Sequence, residues 1–367
     1  MKNALKTIAC TLVALIVLDV LAALVLVGPA PASLKTFFNY GRSVPGKIAQ
    51  WKANPDLRGN LLNVSWLPDL MDLSAEQAAA RPAGDEPVVH TYGMSFVVRI
   101  TDAAQKARPD LQLAHRGGPG APPNFTYAAF LKDRENRRPG DVAVLGILSY
   151  SVGAMGSFSN RTWVFEQPSP FTYPIFLPDG DGGLREIEPV VETLEQEMSL
   201  EDDPDLAGRW YDQLRDQDRV FAPAAFDLSW LDISPFARLV RRSLAQGDIA
   251  GRKAEIIARP EDGTMPYAEV LRRMITSFNA IAREDGQIPI VLLVQGRDPV
   301  DPDLKALLKP WLEEEGYPYL ATADHQSPRD PRAFLPDGHY QPDIDARFGQ
   351  AFLEVLDRAR QETPPAR

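Results

Sequence analysis

The chain has 367 residues, a formal net charge of −11, four histidines and a single cysteine, Cys10. The acidic balance, with no basic stripe, excludes nucleic acid as a partner, because phosphate binding needs clustered Lys and Arg, and it disfavours tight contact with anionic lipid. One cysteine cannot close an intramolecular disulfide, there is no His/Cys cluster of the kind zinc requires, and nothing in the chain calls for a cofactor.

An apolar run from Thr7 to Val27 is long enough to cross a bilayer. Lys2 and Lys6 precede it, so the positive-inside rule predicts a single-pass anchor with the amino terminus cytoplasmic and the bulk outside. The rival is a signal peptide cleaved after Ala30-Pro31-Ala32, but the run is long for one and proline sits in the site. Asp19 interrupts the span. It is either carried as the neutral acid or marks a membrane partner, since an acid at that depth costs a few kcal/mol. Cys10 reads as a small buried residue.

Residues 28–85, rich in Pro, Asn and Ala, read as a stalk wrapping onto the domain, with helical pieces at Leu34–Tyr40 and Ala75–Ala80. An α/β rhythm then starts. Strands are predicted at 88–92, 111–114, 142–148, 288–294 and 319–322, and helices at 96–106, after Pro122-Pro123, and at 266–284, 303–315 and 343–360. Ile288–Val294 is almost wholly apolar and largely β-branched or leucine, as in a buried parallel strand. The chain between strands three and four is too long for one crossover, so residues 156–262 are predicted to be an insertion at the carboxyl side of the sheet, either a substrate lid or a surface decoration. Within it, Trp163–Phe176 reads as an edge hairpin or cover. Leu184–Arg219 reads as acidic and helix-prone, and Phe236–Gln246 as a short helix with Arg238, Arg241 and Arg242 on its wet side. Asp179-Gly180-Asp181-Gly182-Gly183 has no glycine at position six and no glutamate at position twelve of a calcium loop, and is read as a turn. Residues 86–360 form the main domain and 361–367 a tail.

Chemistry is predicted where the first strand runs into Gly93-Met94-Ser95-Phe96 and where Asp337-Gly338-His339-Tyr340 precedes the last helix. A serine on a strand-to-helix turn, with a distant Asp-x-His, supplies the parts of a nucleophile, a base and an orienting acid. The bland readings are that Ser95 is an N-cap and that Asp337-Gly338 is a turn. Of the remaining histidines, His90 is predicted to be packed, His115 lies by a glycine turn, and Asp324-His325 is the one competing acid–histidine pair.

GMSF, then HRGGPGAPPNFTYAAF, then DGHY, in this order, resemble the serine, glycine and closing Asp-His blocks of the SGNH (GDSL-type) hydrolases over roughly residues 86–155 and 262–360. The resemblance implies a flavodoxin-like three-layer α/β/α fold with a five-stranded, mostly parallel sheet, and ester chemistry on Ser95 with His339 as base and Asp337 as orienting acid. It also implies oxyanion donors at the backbone N–H groups of Ser95 and Gly120. The family's GDS aspartate is Met94 here, Asp-x-x-His is shortened to Asp-x-His, and the third block, DVAVLGILSYS, has no asparagine. A third donor would therefore come from Ser149, Ser151 or Asn124. Three functions follow: a bacterial inner-membrane esterase facing the periplasm and acting on an acyl ester or acylated glycan, an O-acyltransferase of an exported polysaccharide using the same site, or a binding module on a dead hydrolase fold.

Overall fold

In the computed structural model, residues 2–28, 66–82, 84, 86–164, 169–226 and 229–362 are described. The expected helical piece at 34–40, the cleavage site at 30–32 and the residues beyond 362 lie outside them. The strands are β1 (Val88–Gly93), β2 (Gln112–Gly117), β3 (Val142–Leu148), β4 (Ile175–Pro178), β5 (Leu184–Ile187), β6 (Ile288–Val294) and β7 (Tyr319–Ala321). The longer helices are α1 (Lys2–Val27), α2 (Leu67–Ala80), α3 (Ser95–Ala107), α4 (Pro123–Lys132), α5 (Pro204–Gln217), α6 (Pro235–Ala258), α7 (Tyr267–Glu284), α8 (Leu304–Glu314) and α9 (Pro342–Glu362).

Five strands pair side by side in the order β2-β1-β3-β6-β7, every pair parallel. The step from β1 to β2 runs opposite to all later steps. Right-handed crossovers therefore put α3 on one face and α4, α7 and α8 on the other. α9 packs on α3, and α4 packs on α7. Covered on both sides, β3 and β6 are buried at every residue, which is why they read as unbroken apolar runs. Pro289 is tolerated within β6 because Ile288 donates its N–H toward β3, so the missing donor of Pro289 faces the other side, where β7 first pairs only at Val291.

The wrap survives as α2, which buries Trp66, Leu67 and Leu70 and is fixed to β2 by Arg116 donating to Ser74 and Gln77. The insertion differs from expectation in several places, and Leu184–Ile187, read as the start of a helix-prone stretch, is strand β5. Its two-stranded hairpin is β4–β5, closed by the Asp179–Gly183 turn, in which Asp179 Oδ1 accepts the N–H groups of Asp181 and Gly183, whereas the stretch read as an edge hairpin or cover makes an isolated antiparallel bridge, Thr172 to Ser159, and lays Trp163 against Gly120. The short helix expected at 236–246 runs the full length of α6, and Arg238 and Arg242 are buried on it, not wet. Cys10, expected to be buried, is exposed along α1. α1 is the one described helix long and apolar enough to cross a bilayer (Asn3–Val27, mean hydropathy 2.9), and it lies against α6.

Candidate functional site

The chain leaves β1 at Gly93, passes Met94 in extended conformation and enters α3 at Ser95, its first helical residue. Nothing N-terminal to it in the helix can accept its backbone N–H, so that donor is free of the helix's own ladder. This turn must sit close to the neighbouring strand. Gly93 pairs with Gly117, and a Cβ on Gly117 would stand 1.8 Å from the Gly93 carbonyl oxygen.

His339 reaches the turn from the loop before α9. Leu335 N–H donates to the His339 carbonyl at 2.6 Å, and Gly338, at φ +94°, lets the loop reverse over five residues. Arg99 of α3 holds the loop to the helix, donating to the Tyr340 carbonyl and to Asp345 at 2.8 Å each. The ring of Phe96 stacks on the imidazole, with centroids 4.6 Å apart. As a result, Ser95 Oγ stands 2.6 Å from His339 Nε2. With the hydroxyl donating, Nε2 accepts and the ring proton sits on Nδ1, facing Asp337 Oδ2 at 3.2 Å, off the axis of an aligned hydrogen bond. The other Asp337 oxygen accepts the His339 backbone N–H at 3.1 Å, and that bond holds the Asp337 carboxyl below the usual carboxylate range.

A cleft of about 380 Å³ opens at this pair, lined also by Gly120, Leu148, Tyr150, Asp298 and Asp301. Gly120 has φ +61°, the left-handed conformation a glycine adopts freely. Ser95, Gly120, Asp337 and His339 are thus brought together at the carboxyl edge of the sheet. The other expected donors are not. Asn124 is fully buried and donates its amide to the Pro174 carbonyl at 2.7 Å, tying α4 to the insertion. Ser151 is buried and donates to the Leu148 carbonyl. Ser149 lies under the cleft: its hydroxyl accepts the Gly296 N–H at 2.8 Å and donates to Asp301 at 3.3 Å.

The competing histidines are placed elsewhere. Asp324 is committed to Lys305 and Lys309, at 2.6 and 2.9 Å, and His325 is exposed at the end of a short helix. His90 is packed as expected, 3.2 Å from Asp141, and His115 lies between Thr91 and Asp102.

The insertion supplies what the sequence concealed. Asn160 donates its amide to the Pro119 carbonyl at 3.2 Å, and its nitrogen lies 3.9 Å from where a Cβ on Gly120 would stand. Trp163 abuts the same glycine and donates to the Tyr173 hydroxyl. Lys253 of α6 lays its ammonium over the rings of Tyr150 and Trp163, at 4.5 and 5.1 Å. Burial lowers the Lys253 pKa, whereas burial and the neighbouring Asp298 charge push the Asp301 carboxyl up to about 6. Lys253 lies far from every block, and Asn160 lies nine residues beyond the third, past the start of the insertion, so position in the chain gives neither of them away. A serine hydroxyl on an imidazole, with an acid behind it and backbone donors near it, can attack an electrophilic carbonyl and hold the resulting oxyanion. No protein-family model, curated protein or solved structure matches the chain.

Proposed function

We propose that the chain is a membrane-anchored serine esterase of SGNH type, in which Ser95 attacks an acyl ester, His339 takes its proton as general base and Asp337 stabilises the imidazolium. The observation that carries the reading is the 2.6 Å contact between Ser95 Oγ and His339 Nε2, made by residues 244 apart in the chain. The strand order supports it, since β2-β1-β3-β6-β7 follows the 2-1-3-4-5 pattern of flavodoxin-like sheets, whose ligands bind beyond the carboxyl ends of the strands.

The proton leaves Oγ for Nε2 as the carbonyl carbon is attacked. The oxyanion is met by the N–H groups of Ser95 and Gly120, with the Asn160 amide, whose nitrogen lies 3.9 Å from the Cβ position of Gly120, as a side-chain donor. His339 then returns the proton to the leaving alcohol, and water or an acceptor hydroxyl takes the acyl group by the reverse route. Tyr150, 42% exposed on the rim beside Asp298 and Asp301, offers a ring face and hydroxyl acceptors suited to a sugar. An acylated glycan on the outer side of the membrane anchored by α1 is therefore the favoured substrate class.

The test is covalent labelling of the purified full chain with a fluorophosphonate, followed by peptide mapping. Modification of Ser95 that is lost in His339→Ala is the expected result. No labelling, or labelling of another serine, would overturn the mechanism and leave a binding module. Release of acetate from an activated ester in buffer marks a hydrolase. Turnover that requires an added glycan marks the transferase form of the same site.

A further inference from the structure

We propose that residues 229–244 form a lipid-facing element that enters the outer leaflet beside α1. The proposal rests on the reading of α1 as a membrane anchor and extends it. Two independent observations carry it.

The first is the partner of Asp19. Its Oδ1 accepts the Ser234 hydroxyl at 2.6 Å and the Phe236 N–H at 3.0 Å, so the acid of the apolar helix sits against the N-terminus of α6. That end of a helix carries partial positive charge and unpaired N–H groups, which favour a carboxylate. Asp19 lies eight residues before Val27, about 12 Å along the helix. Half of a hydrocarbon core is about 15 Å. If α1 spans the bilayer, the start of α6 is drawn below the headgroups with it.

The second is that this stretch has its polarity reversed. Trp230, Ile233 and Leu244 are 79%, 86% and 68% exposed, and Val240 is 44% exposed, whereas Arg238 and Arg242 are 2% and 4% exposed. A helix facing water turns its arginines outward and its aliphatic residues inward. Here the exposed side chains are mostly apolar, on a stretch whose helix lies against the apolar α1, and they include a tryptophan of the kind enriched at bilayer interfaces. The occupant is lipid hydrocarbon. With a net charge of −11, attraction to anionic headgroups plays no part, so the surface should bind zwitterionic lipid.

The consequence reaches the cleft. From Phe236 to Lys253, whose ammonium lies over Tyr150 and Trp163, α6 advances seventeen residues, about 26 Å. It then acts as a strut of fixed length between the outer leaflet and the cleft wall, and the substrate is met close above the membrane surface.

The experiment uses the full chain with Cys10→Ala, reconstituted in phosphatidylcholine vesicles, with a nitroxide placed in turn on Ile233→Cys, Leu244→Cys, Ile16→Cys in α1 and Glu255→Cys late in α6. Collision with oxygen is compared with collision with a water-soluble nickel chelate. The expected result is oxygen-dominated collision at 16, 233 and 244 and chelate-dominated collision at 255. Chelate-dominated collision at 233 and 244 with 16 still in lipid overturns the proposal and leaves the anchor standing. Shielding of 233 and 244 from both reagents overturns it in favour of a protein cover, a second copy or another membrane protein. Chelate access at 16 removes the anchor, and the proposal with it.

Discussion

At the scale of single residues, the site is asymmetric: the serine–imidazole contact is short and covered by Phe96, while Asp337 is 63% exposed at its side chain and stands 3.2 Å from Nδ1, out of line for a hydrogen bond. Nucleophile and base act as a unit, so Ser95→Ala and His339→Ala should each lower kcat on an activated acetyl ester by on the order of 10⁴–10⁶-fold, and the double variant no further. Asp337→Asn keeps the ring in place and removes a carboxylate that is largely solvated and poorly aligned with Nδ1, so its loss should be smaller than that of either partner. Steady-state assays of the four proteins decide this, and equal losses for Asp337→Asn and His339→Ala would contradict it. Asn160→Ala should lower kcat by about 10²-fold with KM little changed, as for loss of one oxyanion donor. A change confined to KM would make Asn160 a support of the Gly118–Gly120 turn only.

At the scale of elements, the site depends on how closely β1 and β2 meet. Gly117→Ala would press a Cβ onto the Gly93 carbonyl, a backbone atom that cannot swing away. The expected cost is about 3 kcal/mol or more, at the upper end of overpacking, because the strand pair itself must shift. Gly208 is the counter-case: it is exposed in the middle of α5 with nothing near its Cβ position. Gly208→Ala should stabilise by about 0.5–1 kcal/mol. Urea midpoints of both variants check the pair, and a neutral Gly117→Ala would show that the Ser95 turn is looser than its geometry implies.

At the scale of the whole molecule, buried acids set the response to pH. Burial alone would raise the Asp141 carboxyl, but His90, Arg81 and the N–H groups of Val88 and Arg138 outweigh it and hold it well below the ordinary range. That stability is present above the unfolded pKa near 3.9 and is lost as pH falls through the folded value. Asp218 is the opposite case. Buried in the insertion, it is pushed up to about 6 despite hydrogen bonds from Phe158, Val220, Ser157 and Thr162. Between about pH 4 and pH 6 the unfolded chain has lost the Asp218 proton and the folded chain retains it, so stability falls as pH rises, by about 3 kcal/mol at most. Asp218→Asn should flatten this slope even though it lowers stability at every pH by disturbing five hydrogen bonds. Denaturation at pH 4, 5 and 6 reads the slope. An unchanged slope would assign it to other acids, such as Glu197.

The strands and helices of the sheet domain were legible from local pattern. β3 and β6 fall at the residues their apolar runs predict, and α3, α7, α8 and α9 within two residues of the expected bounds. Ser95 and His339 were legible because each sits at a strand end or helix mouth, where a short motif alone fixes the backbone. The insertion was not. The antiparallel pair β4–β5 was not foreseen, and Arg238 and Arg242 of α6 were assigned to water although they are buried. Such choices depend on what packs opposite: the hairpin lies against α7, and α6 lies against α1, more than two hundred residues earlier in the chain. The same limit hid Asn160 and Lys253 and misassigned Asn124. A side chain becomes a donor at Gly120 only when the fold carries it there, and in this fold the amide near Gly120 belongs to Asn160. Local sequence determined the sheet, the anchor-like helix and the turns that carry Ser95 and His339. Tertiary packing alone decided which residues wall the cleft and what Asp19 touches.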